Sequence, residues 1–140
     1  PLFASYRFEL WKDLIDGDWD FDYIGTEIET GSYPNYENLS FDPHHQGKMS
    51  WTSEKIFEEL ESILHETGYP DIVLFSSPGG NDILDGLPYE NVIENINGII
   101  DIFQNRNPDI VILIEQLAPG KTSFMTPELT AIFDQVILDV

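Results

Sequence analysis

Residues 76–82, Ser-Ser-Pro-Gly-Gly-Asn-Asp, set an amide beside a carboxylate directly after a turn at Pro78-Gly79-Gly80. The stretch before it, "DIVLF" over 71–75, is rich in apolar strand formers. Glycines let a backbone turn sharply and approach a ligand closely. An Asn at the end of such a turn can aim its amide N–H at an oxygen that gains negative charge, the task of an oxyanion hole. The same residues also suit a plain turn followed by a helix cap, and on the heptapeptide alone that is the simpler account.

Other residues of chemical interest are less convergent. Each of the three histidines can accept a proton near neutral pH. His44 and His45 stand beside Asp42 in a polar stretch; their spacing fits no strong ligand signature, so they read as organisers of a loop. His65 falls at the end of a helical pattern, where a cation suits the dipole. Asp16, Asp18, Asp20 and Glu27 occupy positions 1, 3, 5 and 12 of a calcium-loop template, yet its obligatory glycine position holds Phe21. No metal or other cofactor is expected. Trp11, Trp19 and Trp51 read as packing residues rather than as a sugar-stacking platform.

The elements that must hold these groups alternate between helix and strand. Tyr6 to Ile15 places Phe8, Leu10, Trp11, Leu14 and Ile15 at helical spacing, and Gly17 stops the run. "DWDFDYIG" then alternates Trp19, Phe21 and Tyr23 with Asp18, Asp20 and Asp22, which predicts an edge strand with one wet face. Residues 25–51 read as a long polar loop, a feature that in a compact domain is usually functional. A second helix starts with Thr52 or Ser53 as N-cap and carries Ile56, Phe57, Leu60, Ile63 and Leu64 on one stripe, closed by Gly68-Tyr69-Pro70.

"DIVLF" (71–75) and "DIVILI" (109–114) are apolar without alternation, which predicts strands covered on both faces. Between them a helix over 89–104 carries Val92, Ile96, Ile99, Ile100 and Phe103. After a turn at Pro119-Gly120, Thr126 caps and Pro127 opens a last helix striped by Leu129, Ile132, Phe133, Val136, Ile137 and Val140. The order α-β-α-β-α-β-α implies a parallel sheet between helical layers. In such sheets ligands bind beyond the carboxyl ends of the strands, which is where residues 76–82 fall.

Composition narrows the partners. A length of 140 residues suits one domain, and 41% hydrophobic residues suit a packed core despite the charge. Six basic residues against 26 acidic ones, a net charge of −20, repel phosphate, so nucleic acid is not an expected partner. The acids are scattered, which suits a hydrated surface better than a site for cationic ligands. No apolar run approaches the roughly 20 residues of a membrane span, and no secretory leader pattern opens the chain. With no cysteine, a thiolate nucleophile and a disulfide framework are both excluded, and the compartment is left open, secretion included.

The blocks "SYRFELWKDLID", "DFDYIGT", "FDPHHQGKMSWT" and "PDIVLFSSPGGNDI" follow one another in the order and spacing of SGNH (GDSL-like) hydrolases. They resemble in particular the esterase branch with the pattern "YRxxLW…DFVG…D-H-x-G-x-x-G-W-T…PDxVLLxxGxND". The resemblance covers nearly the whole chain. It implies a three-layer α/β/α flavodoxin-like parallel sheet and a single domain over residues 1–140, incomplete at both ends. It implies that Asn81 is the side-chain oxyanion donor, that Gly79 and Gly80 shape its turn, and that Asp82 holds the loop. The family's second donor is a backbone N–H, normally of a glycine, and that position is Ser50; Gly47 matches the earlier glycine of the same block. His45 and His44 align with the family's Asp-His pair on the substrate side.

Two blocks of that family are not matched. The nucleophile belongs to a Gly-Asp-Ser motif after a first strand, where this chain reads "PLFASYRFELW". Ser5 is either a remnant of that motif, and then the nucleophile, or the N-cap of the first helix, which needs no catalysis to explain it. The Asp-x-x-His block that supplies the base would follow the element matched by the last helix, beyond Val140.

Two functions therefore compete. One is a serine ester hydrolase acting on short acyl or acetyl esters, including those on carbohydrate, with a small-molecule ester as partner. The other is a non-catalytic binding domain on the same scaffold. In the resembled family the first strand lies between the edge strand and "DIVLF". Without it, either the edge strand over 18–25 closes directly onto 71–75, or a second copy fills the gap and the protein is a homodimer.

Overall fold

The structure, a computed structural model, describes residues 5–115 and 126–140. The chain divides into two compact units, Pro1–Lys48 and Met49–Val140.

In the first unit Ser5 caps helix α1 (Tyr6–Asp16), its hydroxyl oxygen accepting from the Arg7 N–H at 3.1 Å. That satisfies one of the donors a helix start leaves free. The apolar stripe buries Phe8 and Trp11, whose rings meet the edge of Phe41 at centroid distances of 5.3 and 5.7 Å. The Gly17 N–H donates to the Asp13 carbonyl at 3.0 Å and ends the helix.

The edge strand expected over "DWDFDYIG" does not form. Residues 19–25 run without a ladder, Asp18 takes a left-handed φ of 54°, and Trp19 is 60% exposed. Alternation states which face of a strand would be wet; it does not supply the neighbour that strand hydrogen bonds require. The ordered pairing lies instead inside the stretch read as a loop, where β1 (Glu27–Ile28) runs antiparallel to β2 (His44–His45), Glu27 opposite His45 and Ile28 opposite His44. Gly25 permits that approach: a Cβ there would lie 2.1 Å from the His45 carbonyl carbon.

In the second unit Thr52 caps α2 (Ser53–Thr67), accepting from the Lys55 N–H at 3.3 Å. Then follow β3 (Ile72–Ser76), the short helix α3 (Gly80–Leu84), α4 (Tyr89–Arg106), β4 (Val111–Glu115) and α5 (Pro127–Asp139). Strands β3 and β4 pair in parallel, Ile72 with Val111 through Ser76 with Glu115. Thr126 and Pro127 open α5 as the sequence leads one to expect, Thr126 accepting from the Leu129 N–H at 3.2 Å. The Pro119-Gly120 turn lies outside the described residues.

Helix α4 is the spine of this unit. Val92, Ile96, Ile99 and Phe103 are all buried on its helical stripe. Val92 and Ile96 pack with Ile83, Phe133 and Val136; Ile99 and Phe103 pack with Leu60 and Leu64 of α2. Each such side chain contributes about 1.5–3 kcal/mol relative to exposure.

The strands differ from expectation in their cover. Val73, Phe75, Ile110 and Ile112 pack on the helical clusters, whereas Ile72, Leu74, Val111 and Leu113 are 51%, 43%, 48% and 52% exposed. Unbroken hydrophobicity records that both faces tolerate apolar side chains. It does not record what lies over the second face within the described residues.

Candidate active site

Strand β3 ends at Ser76, and the chain then turns through Ser77 at φ 52° and Gly79 at φ 74° into α3. Ser77 is held in that unfavourable backbone region from both sides. Its N–H donates to the Glu115 carbonyl at 3.2 Å, and its carbonyl accepts from the Gly80 N–H at 3.1 Å. Gly79 answers two demands at once, the positive φ and an approach to α4 so close that a Cβ would lie 2.5 Å from Val92 Cγ1. Gly79 thus turns the chain against the core, whereas a Cβ at Gly80 would meet only ordinary contacts, 3.7 Å from Phe133 and 3.8 Å from Ser77.

That turn delivers Asn81 to the first turn of α3, where its Nδ2 donates to the Trp51 carbonyl at 2.7 Å. An amide nitrogen carries two protons, and this bond occupies one of them. Asn81 and Trp51 line a cavity of about 220 Å³ together with Phe75, Ser76, Ser77 and Gly80. Ser50, the residue before Trp51, is exposed and takes a left-handed φ of 60°. The position where the resembled family has glycine thus uses a glycine-like backbone conformation although it is a serine.

Asp82 faces away from solvent, only 2% exposed. Its carboxylate accepts from the Ser53 N–H at 3.0 and 2.8 Å and from the Ser53 hydroxyl at 2.6 Å. It holds the start of α2 rather than opening to a ligand. The Asn95 amide on α4 donates to the Ser53 hydroxyl oxygen at 3.2 Å. Neither Ser53 nor Asn95 stood out in the sequence as part of a site. The only sequence signal was Ser53 as an alternative helix cap, while Asn95 is one polar residue on an otherwise core-forming helix.

Of the remaining candidates, His65 is exposed in the last turn of α2, and the others belong to the first unit. Asp42 gathers the loop around itself, accepting from the Tyr23 N–H at 2.8 Å and the His44 N–H at 3.1 Å, with His44 Nδ1 2.8 Å from its Oδ1. Burial works against its charge, but the bonds from His44 and Tyr23 prevail and hold its carboxyl below the ordinary value. His45 Nδ1 accepts from the Gly47 N–H at 3.0 Å. Burial and the neighbouring Arg7 charge lower the His45 pKa, which favours the neutral ring that this bond requires. Ser5 is engaged as the α1 cap, and its N–H donates to the Tyr33 hydroxyl at 3.3 Å. Arg7 pairs with Glu29 at 3.0 Å, and the Tyr33 hydroxyl donates to the other Glu29 oxygen.

The fold is α/β with a parallel sheet, of the SGNH hydrolase type. Three solved structures share it. A carbohydrate esterase family 3 protein from Talaromyces cellulolyticus superposes with a TM-score of 0.77 at 21% identity, over 98% of this chain and 66% of its own. An acetyl esterase, solved as a serine-to-alanine variant with an acetate ion, gives 0.78 at 21% identity with the same coverage. A family 3 carbohydrate esterase of Clostridium thermocellum gives 0.72 at 24% identity, over 96% of this chain and 59% of its own. The chain thus spans about two thirds of the length of the first two and less of the third. No protein-family model and no curated protein matches the sequence.

Proposed function

We propose that this chain carries the oxyanion-stabilising part of an SGNH-type ester hydrolase acting on short acyl or acetyl esters, including acetylated carbohydrate. The observation that supports it most is the Asn81 amide, anchored by one proton on the Trp51 carbonyl and lining a cavity at the carboxyl end of β3. In the reaction a serine hydroxyl attacks the ester carbonyl while a histidine takes its proton. The carbonyl oxygen becomes an oxyanion, which receives the second Asn81 N–H and the Ser50 backbone N–H. As that intermediate collapses, the histidine gives the proton to the departing alkoxide, which leaves as the alcohol, and an acyl-serine remains for water to hydrolyse. Gly79 and Gly80 shape the turn, Asp82 holds it, and Gly47 and His45 organise the loop assigned to the substrate side. The fold shared with carbohydrate and acetyl esterases supports the substrate class.

A second reading, a binding domain without turnover, is favoured by the engagement of Ser5 as a helix cap. Hydrolysis of a chromogenic acetate ester separates the two. Turnover that falls in Asn81→Ala supports the hydrolase, and its loss in Ser5→Ala would assign the nucleophile to Ser5. No turnover by the purified chain would leave the binding reading.

A further inference from the structure

We infer that Ser53 and Asn95, acting through Asp82, are positioning residues that fix the direction of the Asn81 amide. The inference rests on the proposed role of Asn81 and adds the groups that aim it. Asn81 and Asp82 are consecutive on α3, and their side chains bind the two ends of one short segment. Asn81 takes the Trp51 carbonyl at 2.7 Å, while Asp82 takes the N–H and hydroxyl of Ser53, two residues on. The segment is thereby clamped in register with α3, and the carbonyl that orients the amide is held in place.

The clamp is buried and closed upon itself. Ser53 is 1% exposed and Asp82 2%. The Ser53 hydroxyl gives its proton to Asp82 and accepts from Asn95, so its bonding is settled in both directions. Ser53 is also the first residue of α2, where the free N–H groups and the positive end of the dipole favour the carboxylate. Three helices, α2, α3 and α4, thus meet at one hydroxyl. A catalytic hydrogen bond loses much of its value when its donor swings, since a misplacement of about 1 Å can cost 10²-fold in rate. An Asn on a five-residue helix needs such an outside reference.

The test reads the Asn81 side-chain amide by NMR in the ¹⁵N-labelled protein, assigned by the loss of its signals in Asn81→Ala. The proton given to Trp51 should be distinct in shift and slow to exchange. In Ser53→Ala, and more mildly in Asn95→Ala, it should exchange about five- to tenfold faster, the loss of roughly one hydrogen bond's restraint, while the backbone spectrum stays folded. Asn95 is only partly buried, so that variant carries the test if Ser53→Ala does not fold. A clamp serving stability alone would lower the thermal midpoint and leave this proton unchanged in shift and exchange; that result in the folded variants overturns the inference. Sodium acetate, as an oxyanion mimic, should shift the second Asn81 proton in the parent protein. Absence of that shift, with the exchange effects intact, would refute the oxyanion role of Asn81 and sustain the positioning one.

Discussion

The Asn81 amide nitrogen lies 2.7 Å from the carbonyl oxygen of Trp51, thirty positions earlier in the chain. The bond joins the start of α3 to the segment that leads into α2, and it removes the freedom an Asn side chain would otherwise have. If the chain hydrolyses an acetate ester, Asn81→Ala should reduce kcat by about 10²–10³ with little change in KM, as expected for a donor used in the transition state. Initial rates at saturating ester check this; an unchanged kcat removes Asn81 from the mechanism.

Gly79 should tolerate no side chain. Alanine there meets both the left-handed φ of 74° and the Val92 methyl at 2.5 Å. Strain and overpacking together should cost about 2–4 kcal/mol, read as a lower urea midpoint at constant m-value. Adding Val92→Ala should relieve the steric share beyond its own cavity cost, a coupling measurable by a double-mutant cycle.

Ser50 should behave in the opposite sense. Its φ of 60° costs a side-chain-bearing residue about 1–2 kcal/mol, part of which glycine returns through its more flexible unfolded chain. Ser50→Gly should therefore raise stability by up to about 1 kcal/mol, and Ser50→Val should lower it. Denaturant titration of both variants decides whether the strain is real.

Acid should loosen the first unit through His45. Burial and the nearby Arg7 hold its folded pKa below the ordinary value of 6.5, so the unfolded chain binds the proton more readily. The associated stability is present above pH 6.5 and is lost as pH falls through the folded pKa. Protonation also removes the acceptor for the Gly47 N–H. The His45 ring and the Gly47 amide should thus titrate together by NMR, below the usual histidine range. A Gly47 amide indifferent to that titration would disprove the link.

The two faces of the β3–β4 sheet should respond unequally to substitution. Leu113, 52% exposed, should lose less than about 1 kcal/mol on change to Ser, whereas Ile96→Ala in the core should lose about 2–5 kcal/mol. A large loss at Leu113, together with a doubled mass by light scattering, would instead identify that face as a contact between two copies.

Much of the scaffold was legible before the structure. The caps at Ser5, Thr52 and Thr126 and the stripe Val92, Ile96, Ile99 and Phe103 follow from local rules, because a helix satisfies its backbone within itself and shows its buried side every three or four residues. The turn at Gly79 was legible for a similar reason, since only glycine adopts that conformation without strain. Strands obey no such closure. "DWDFDYIG" has the alternation of a strand and forms none, while His44–His45, with no strand signal, pairs with Glu27–Ile28. The bond from Asn81 to Trp51 and the meeting of Ser53, Asp82 and Asn95 join residues 29 to 42 positions apart. No local pattern encodes such meetings; they exist only because α2, α3 and α4 pack together and a buried carboxylate must find donors wherever the packing brings them.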